Sequence, residues 1–528
     1  MSDLQTKWRT IKHLKVRQIY FRIYYILKTK LKGVDYSLTN TPRVINPRPD
    51  VSTQITFIPT PPSYFPPLTF KFLNIKHEFT SNIDWNFSQH KKLWTYNLNY
   101  FDFLLQKDLP KEEGLKLIRQ YIVDYPRIKD GKEPYPTSLR IINWVKFCLK
   151  HQIQDQNINT AIHNQTIHLS KNLEYHLLAN HLLENAFALT IAATYLGEEK
   201  LFRKASKLLL SQLKEQILAD GAHYERSPMY HQIILYRLFD TINIISSKAK
   251  PTKIKQTLIS YAATMLGWMK QITFTDNQLP LFKDSANGIA PSSNELTTYA
   301  NHLNIIPITM PLKESAYRKF ISNEFELLID VGNISPSYQP GHAHADHLSY
   351  ELYFKGIPVI VDTGTSTYNT GKIRSFERST AAHNTVTVDN QNSSEVWASH
   401  RVGGRANVML NTQAVNALKA VVTFALKKEI KHEREFRIET NGFIIIDKVP
   451  QTIKNQSSVS NIHIHPDREV QVNENTILIG NVIQLAIEGH ASIKIRPFYY
   501  APEFNKRIES KVISISFKEK LETRFQIL

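Results

Sequence analysis

Three short stretches of the chain concentrate the residue types that move protons or hold cations. Asn180-His181-Leu182-Leu183-Glu184-Asn185 sets polar residues at i, i+1, i+4 and i+5 of an otherwise apolar helical pattern. Flanked by Leu, Ala and Phe, they do not form a simple solvated stripe, and buried Asn, His and Glu require partners. In Tyr224-Glu225-Arg226-Ser227-Pro228-Met229-Tyr230-His231, Ser227 suits an N-cap and Pro228 the first helical position. Capping leaves Tyr230 and His231 unexplained, side by side where the positive end of a helix favours a tyrosinate. Gly341-His342-Ala343-His344-Ala345-Asp346-His347 runs into a strand pattern, and its His-x-His spacing puts both imidazoles on one face. A metal site or a histidine pair needs that arrangement. Asp362, ending the apolar run 357–361, and His383, preceding the run 385–388, could complete a His/His/Asp set suited to Zn²⁺.

These groups must be positioned by the elements around them. From about 97 to 310 apolar residues recur at helical spacing, as in Leu115-Leu117-Ile118-Tyr121-Ile122 and Ile233-Ile234-Leu238. Beyond about 320 the period becomes two, as in Phe325-Leu327-Ile329, Tyr350-Leu352-Phe354 and Ile513-Ile515-Phe517. Residues 41–70 carry eight prolines and read as a connector. The expected organisation is a basic N-terminal helix and connector (1–75), a domain of many helices (76–315) and a large antiparallel β domain (316–528). For 528 residues, two large domains fit better than the three that roughly 150 residues per domain suggests.

The formal net charge of +18 calls for an acidic partner: nucleic acid, an anionic membrane surface or a polyanionic substrate. Basic residues follow no nucleic-acid module, which demotes the first. No Walker A motif, dinucleotide glycine motif or Gly-x-Ser-x-Gly elbow is present. The single cysteine, Cys148, excludes an intramolecular disulfide framework and a cysteine-based zinc knuckle. The first 33 residues hold nine Lys or Arg and one acid, Asp3, with no uninterrupted apolar region of the secretory kind. Two readings fit them, a solvated basic helix packed on the body or peripheral contact with anionic lipid or polysaccharide. A cytoplasmic location is the default expectation.

The stretches NHLLENAFAL (180–189), ERSPMYHQ (225–232), GHAHADHLSYEL (341–352), VDTGTSTYN (361–369) and RSTAAHNTVTVD (378–389) resemble the heparinase II/III-like polysaccharide lyases and their alginate-lyase relatives. The resemblance implies an α+β multidomain fold, an N-terminal (α/α) toroid of many helices followed by a large antiparallel β-sandwich domain. It implies cleavage of a uronate-containing acidic polysaccharide by β-elimination. By the same resemblance Asn180 would bind the uronate carboxylate, and His181 and Tyr230 would flank the sugar as base and acid. His342 would be a further active-site histidine, with Glu184 and Tyr368 as weaker matches to substrate-binding positions. His344, Asp362 and His383 match zinc ligands, and the zinc would be structural, bracing the loop that carries His342.

Elimination removes the C5 proton of a uronate and expels the C4 oxygen, so the carboxylate charge must be neutralised while a base and an acid act. Arg374, Arg378 and Arg405 lie close in sequence to the β-domain residues and are candidate anion contacts. Trp94, Tyr96, Tyr135 and Trp144 are candidates for stacking on sugars or for core packing. Two other functions use the same residues: a uronyl C5-epimerase acting in surface-polysaccharide biosynthesis, and a non-catalytic glycan-binding protein of the same fold. The expected lack of a secretory leader puts digestion of imported glycan in doubt and leaves room for a role in making or trimming the cell's own surface polysaccharide, or for export by an unseen route. Oligomeric state is not addressed by the sequence.

Overall fold

The computed structural model describes residues 3–31, 38, 55–246, 253–427, 429–452, 456–473 and 476–528. Two helices open the chain, α1 (Asp3–Ile11) and α2 (Val16–Leu31). The proline-rich stretch is more than a connector. Within it and just beyond, β1 (Tyr64–Phe65), β2 (Thr69–Phe72) and β3 (Ile75–Glu78) form an antiparallel meander. Phe70 and Phe72 of β2 sit edge-on to Phe103 and Trp94 and anchor the meander to the helical core. Residues 41–54 of the stretch lie outside the described residues.

The helical domain contains α3 (Lys91–Tyr100), α4 (Lys111–Asp124), α5 (Pro134–Lys150), α6 (Gln156–Lys171), α7 (Ala179–Leu196), α8 (Glu199–Gln216), α9 (Pro228–Ser246), α10 (Lys253–Ile272) and α11 (Ser293–His302). Their sequences sort them into layers of a toroid. Helix α7 is apolar on every side and buried along almost its whole length, packing against α5, α6, α8 and α9. Helix α8 is amphipathic, burying Leu209 and Leu213 while its lysines face water. Buried charge in this domain is paired: Lys146 Nζ donates to Asp240 Oδ2 and Tyr236 Oη, each at 2.6 Å.

Strands β4 (Tyr317–Ile321), β5 (Phe325–Asp330), β6 (Tyr350–Phe354) and β7 (Ile357–Ile360) form an antiparallel sheet. It faces a ten-stranded sheet that includes Ala417–Thr423, Lys431–Glu439 and the long hairpin Ile483–Glu503/Lys506–Ile527. Ala417–Thr423 buries alternate residues, the mark of a sheet with one wet face. Strand β5 is buried on both faces, because Leu327 and Ile329 enter the sandwich core while Leu328 enters the toroid core. Tyr353 of β6 stacks on Phe274 of the helical domain, ring centroids 3.7 Å apart. The two domains therefore pack against each other here through apolar side chains. No described helix is long and apolar enough to cross a membrane.

Candidate active site

Two helix starts and one β-domain loop converge on a cleft of about 1170 Å³. Leu178 (φ 63°) and Ala179 (φ 52°) take left-handed backbone just before α7 proceeds, so Asn180 and His181 occupy its first turn facing the cleft. Arg226 (φ 57°) makes the same kind of kink before α9 and delivers Tyr230. Non-glycine residues held there are strained, and such strain clusters where geometry matters. The Arg226 side chain secures its kink by donating to the Asn333 and Glu314 carbonyls across the seam. His342 and Tyr368 enter from the β domain.

Each of these histidines rests on a carboxylate. His181 Nδ1 lies 3.0 Å from Glu174 Oε1. Glu174 is itself fixed by Asn185, whose Nδ2 donates to Oε2 at 3.0 Å and whose Oδ1 accepts the Glu174 N–H. Desolvation disfavours the His181 imidazolium, but Glu174, with Glu225 and Glu184 behind it, outweighs that and raises its pKa above the usual histidine value. His342 Nδ1 lies 3.0 Å from Asp284 Oδ2, and its Nε2 is 3.7 Å from Glu225 Oε2. Glu225 Oε1 in turn accepts the Asn180 N–H at 3.2 Å. Burial alone would raise the Asp284 pKa, yet Arg374, His344 and His342 hold it well below the usual carboxylate range.

The Tyr230 ring stacks on His342 with centroids 3.9 Å apart, and its hydroxyl meets that of Tyr368 at 3.2 Å. Burial, reinforced by Tyr368, Asp284 and Glu225, keeps the Tyr230 phenol protonated, its pKa well above 10. This corrects the expected tyrosinate, since enclosure and nearby acids prevail over the helix end. His231 does not share the site. It is buried with Nδ1 accepting the His223 N–H and Nε2 donating to the Met265 carbonyl, and burial lowers its pKa to about 3.

The structure brings Asn180, His181, Tyr230, His342 and Tyr368 to one cleft, with Tyr96 and Tyr135 in its walls. Other expected substrate contacts lie elsewhere. Arg378 is buried and spends its guanidinium on the carbonyls of Ala343, Trp397, Ala398 and Arg401. Arg374 donates to Asp284 and the Ser399 carbonyl. Arg405 donates to the Ser337 carbonyl outside the cleft. Glu184 is fully buried, 3.4 Å from Arg237 Nε, and burial pushes its carboxyl up to about 7 against the pull of that cation. Trp94 and Trp144 are core residues. Sequence reasoning missed Glu174 and Asp284 as supports for histidines and Arg401 as a cation in the cleft wall; Glu225 stood in a quoted motif without a role.

His344, Asp362 and His383 are fully buried and do not line the cleft. His383 Nδ1 meets Asp362 Oδ2 at 2.7 Å, His344 Nε2 meets Asp284 Oδ1 at 2.8 Å, and the two rings lie 5.3 Å apart. His344 Nδ1 and His383 Nε2 have no hydrogen-bond partner, yet among the described residues they and Asp362 are not gathered closely enough to form a metal-binding group. Among the described residues the ligand atoms that do gather are those of Asp284, His342 and His400, within 4.8 Å of one another. There Arg374 already neutralises Asp284.

Residues 138–310 match the heparinase II/III N-terminus model, and residues 309–528 match the heparinase II/III-like C-terminal model. A heparin-sulfate lyase of Bacteroides stercoris is 23% identical over 319 residues, covering 55% of this chain and 46% of that protein. Another from Pedobacter heparinus is 24% identical over 263 residues, covering 44% of this chain and 39% of its own length. The matches thus span less than half the length of these curated relatives. A crystal structure of heparinase III superposes with a TM-score of 0.66 at 16% identity, covering 85% of this chain and 80% of that one, and shows the shared toroid-and-sandwich fold.

Proposed function

The chain belongs to the heparinase II/III-like family, and from that membership and the cleft we propose that it is a polysaccharide lyase cleaving an acidic, uronate-containing glycan by β-elimination. The carrying observation is the convergence of Asn180, His181, Tyr230 and His342 on one cleft, both histidines backed by buried carboxylates. The relatives' heparin-sulfate lyase names support an acidic glycan as substrate. So do the net charge of +18 and the cleft cations Lys71, Arg237 and Arg401.

In this reading the Asn180 amide and His342 meet the uronate carboxylate and blunt its charge, so that negative charge developing on removal of the C5 proton is stabilised. Glu174 holds His181 Nδ1–H, which leaves Nε2 as the lone pair that takes that proton. Tyr230, neutral and hydrogen-bonded to Tyr368, protonates the departing C4 oxygen. The products are a new reducing end and a C4–C5 unsaturated uronate.

Zinc enters as a structural group. His344, Asp362 and His383 would have to close up to hold it, and its charge would then brace the loop carrying His342. We expect about one zinc per chain in purified protein, and loss of the metal with reduced thermal stability in His383→Ala. Full stability and activity in a metal-free His344→Ala variant would refute the bracing.

The test of the reaction is incubation with a panel of uronate polymers, following ultraviolet absorbance of the unsaturated product and deuterium uptake at C5 from heavy water. Absorbance on an acidic glycan supports the lyase. Deuterium exchange without absorbance overturns it in favour of a C5-epimerase. Binding with neither signal leaves a non-catalytic glycan-binding protein.

A further inference from the structure

The two N-terminal helices are oriented in reverse for a protein in water. Their inward faces are mostly polar or aromatic and tied to the body. In α1, Thr6 and Arg9 bind Glu395, and Thr10 accepts from the Trp397 indole. Between the helices, Lys15 pairs with Glu215 and lies over the Tyr338 ring. In α2, buried Gln18 donates to the Leu177 carbonyl, Phe21 packs on Tyr175, Tyr25 donates to the Leu173 carbonyl, and Lys28 donates to the Lys171 carbonyl.

The outward faces are aliphatic and aromatic. Leu4, Trp8 and Ile11 recur at i, i+4 and i+7 along α1. Val16, Ile19, Tyr20, Ile23, Ile26 and Leu27 form the matching stripe on α2. Leu4, Trp8, Val16 and Tyr20 are 76, 68, 82 and 61% exposed, so this is a displayed surface and not a partly covered core. Around it stand the exposed cations Lys7, Lys12, Arg22 and Lys30.

We propose that α1 and α2 form a docking surface for an anionic lipid bilayer, the apolar stripes entering the headgroup layer and the cations meeting lipid phosphates. An apolar stripe rimmed by Lys and Arg, with Trp and Tyr among its members, is the pattern of a helix lying in a membrane interface. Charge decides against a second copy of the chain, because pairing two such faces would bring their cations together. An acidic glycan would meet the charge but gain little from nine apolar side chains. The surface also borders the cleft: Thr10 and Leu14 flank a small hollow with Gln339, His400 and Arg401, which line the cleft too. A membrane-bound molecule would thus hold its cleft beside the bilayer, within reach of glycan attached or emerging there.

The test uses the full chain sedimented with vesicles of phosphatidylcholine, with and without phosphatidylglycerol. We expect binding at least about tenfold stronger to the anionic vesicles and weakened by salt. The combined Ile19→Glu and Ile23→Glu variant, altered only at exposed positions, should lose at least about tenfold while keeping its melting temperature. A blue shift of tryptophan emission on binding should vanish in Trp8→Phe. Equal or absent binding to the two vesicle types, or an unaffected Ile19/Ile23 variant, overturns the proposal. A lipid-free dimer that the same variant dissociates would make the face a self-association surface. Binding to an acidic glycan but not to vesicles, lost in that variant, would make it a glycan site.

Discussion

At His181 the chemistry rests on a carboxylate seven residues upstream in the chain. Because Glu174 raises the His181 pKa, a base at this position becomes active only as pH rises through that elevated value. Glu174→Gln should therefore move the acid limb of kcat/KM toward lower pH while reducing the plateau, as a pH–rate profile would show. Tyr230→Phe removes the proton donor and keeps the ring that stacks on His342; kcat should fall by roughly 10²- to 10⁴-fold with an unchanged melting temperature. Asn180 and His181 stood out as candidates because their types are costly amid apolar sequence, Tyr230 because helix capping left it unexplained, and His342 through its His-x-His spacing. Glu174 and Asp284 did not, since nothing in their local sequence says which distant imidazole they will meet. Arg378 and Arg401 show the same limit: each is an arginine near the motifs, and only backbone carbonyls around the first and open cleft around the second tell them apart.

At the scale of elements, the change from helical to alternating periodicity correctly marked the α-to-β order of the chain. Periodicity could not reveal the left-handed turns that aim α7 and α9, because Leu178, Ala179 and Arg226 are not residues that advertise positive φ. Nor could it say which face of α2 meets the body. Helix α1 is fastened by Glu395, whose pKa burial would raise but which Arg9, the Gly404 N–H and Thr6 lower to about 2. A depressed carboxyl stabilises docking above its unfolded value of about 4.3 and loses that contribution as pH falls toward its folded value. Hydrogen-exchange protection over 3–11, taken relative to the intrinsic rate at each pH, should fall between about pH 4 and 2, and Glu395→Gln should show the reduced protection already at neutral pH.

For the whole molecule, the decisive feature is that site and seam are one construction. Asp284 belongs to the helical domain yet holds His342 and His344 of the β domain. Leu328 crosses the other way, a β-strand residue completing the toroid core. Leu328→Ala should cost about 2–5 kcal/mol. Calorimetry of the parent protein should give one cooperative transition, because the toroid core is completed by Tyr317, Leu328 and Tyr353 of the β domain.

That alternation along β5 also assigns neighbouring codons to different guardians. A systematic substitution library across 325–330 should give two interleaved tolerance profiles. Positions 327 and 329 would accept the side-chain volumes that the facing sheet leaves open. Position 328 would accept those that the toroid core leaves open. Inheritance at adjacent sites would then be filtered by opposite halves of the protein, and a compensating change for one would lie far from that for the other.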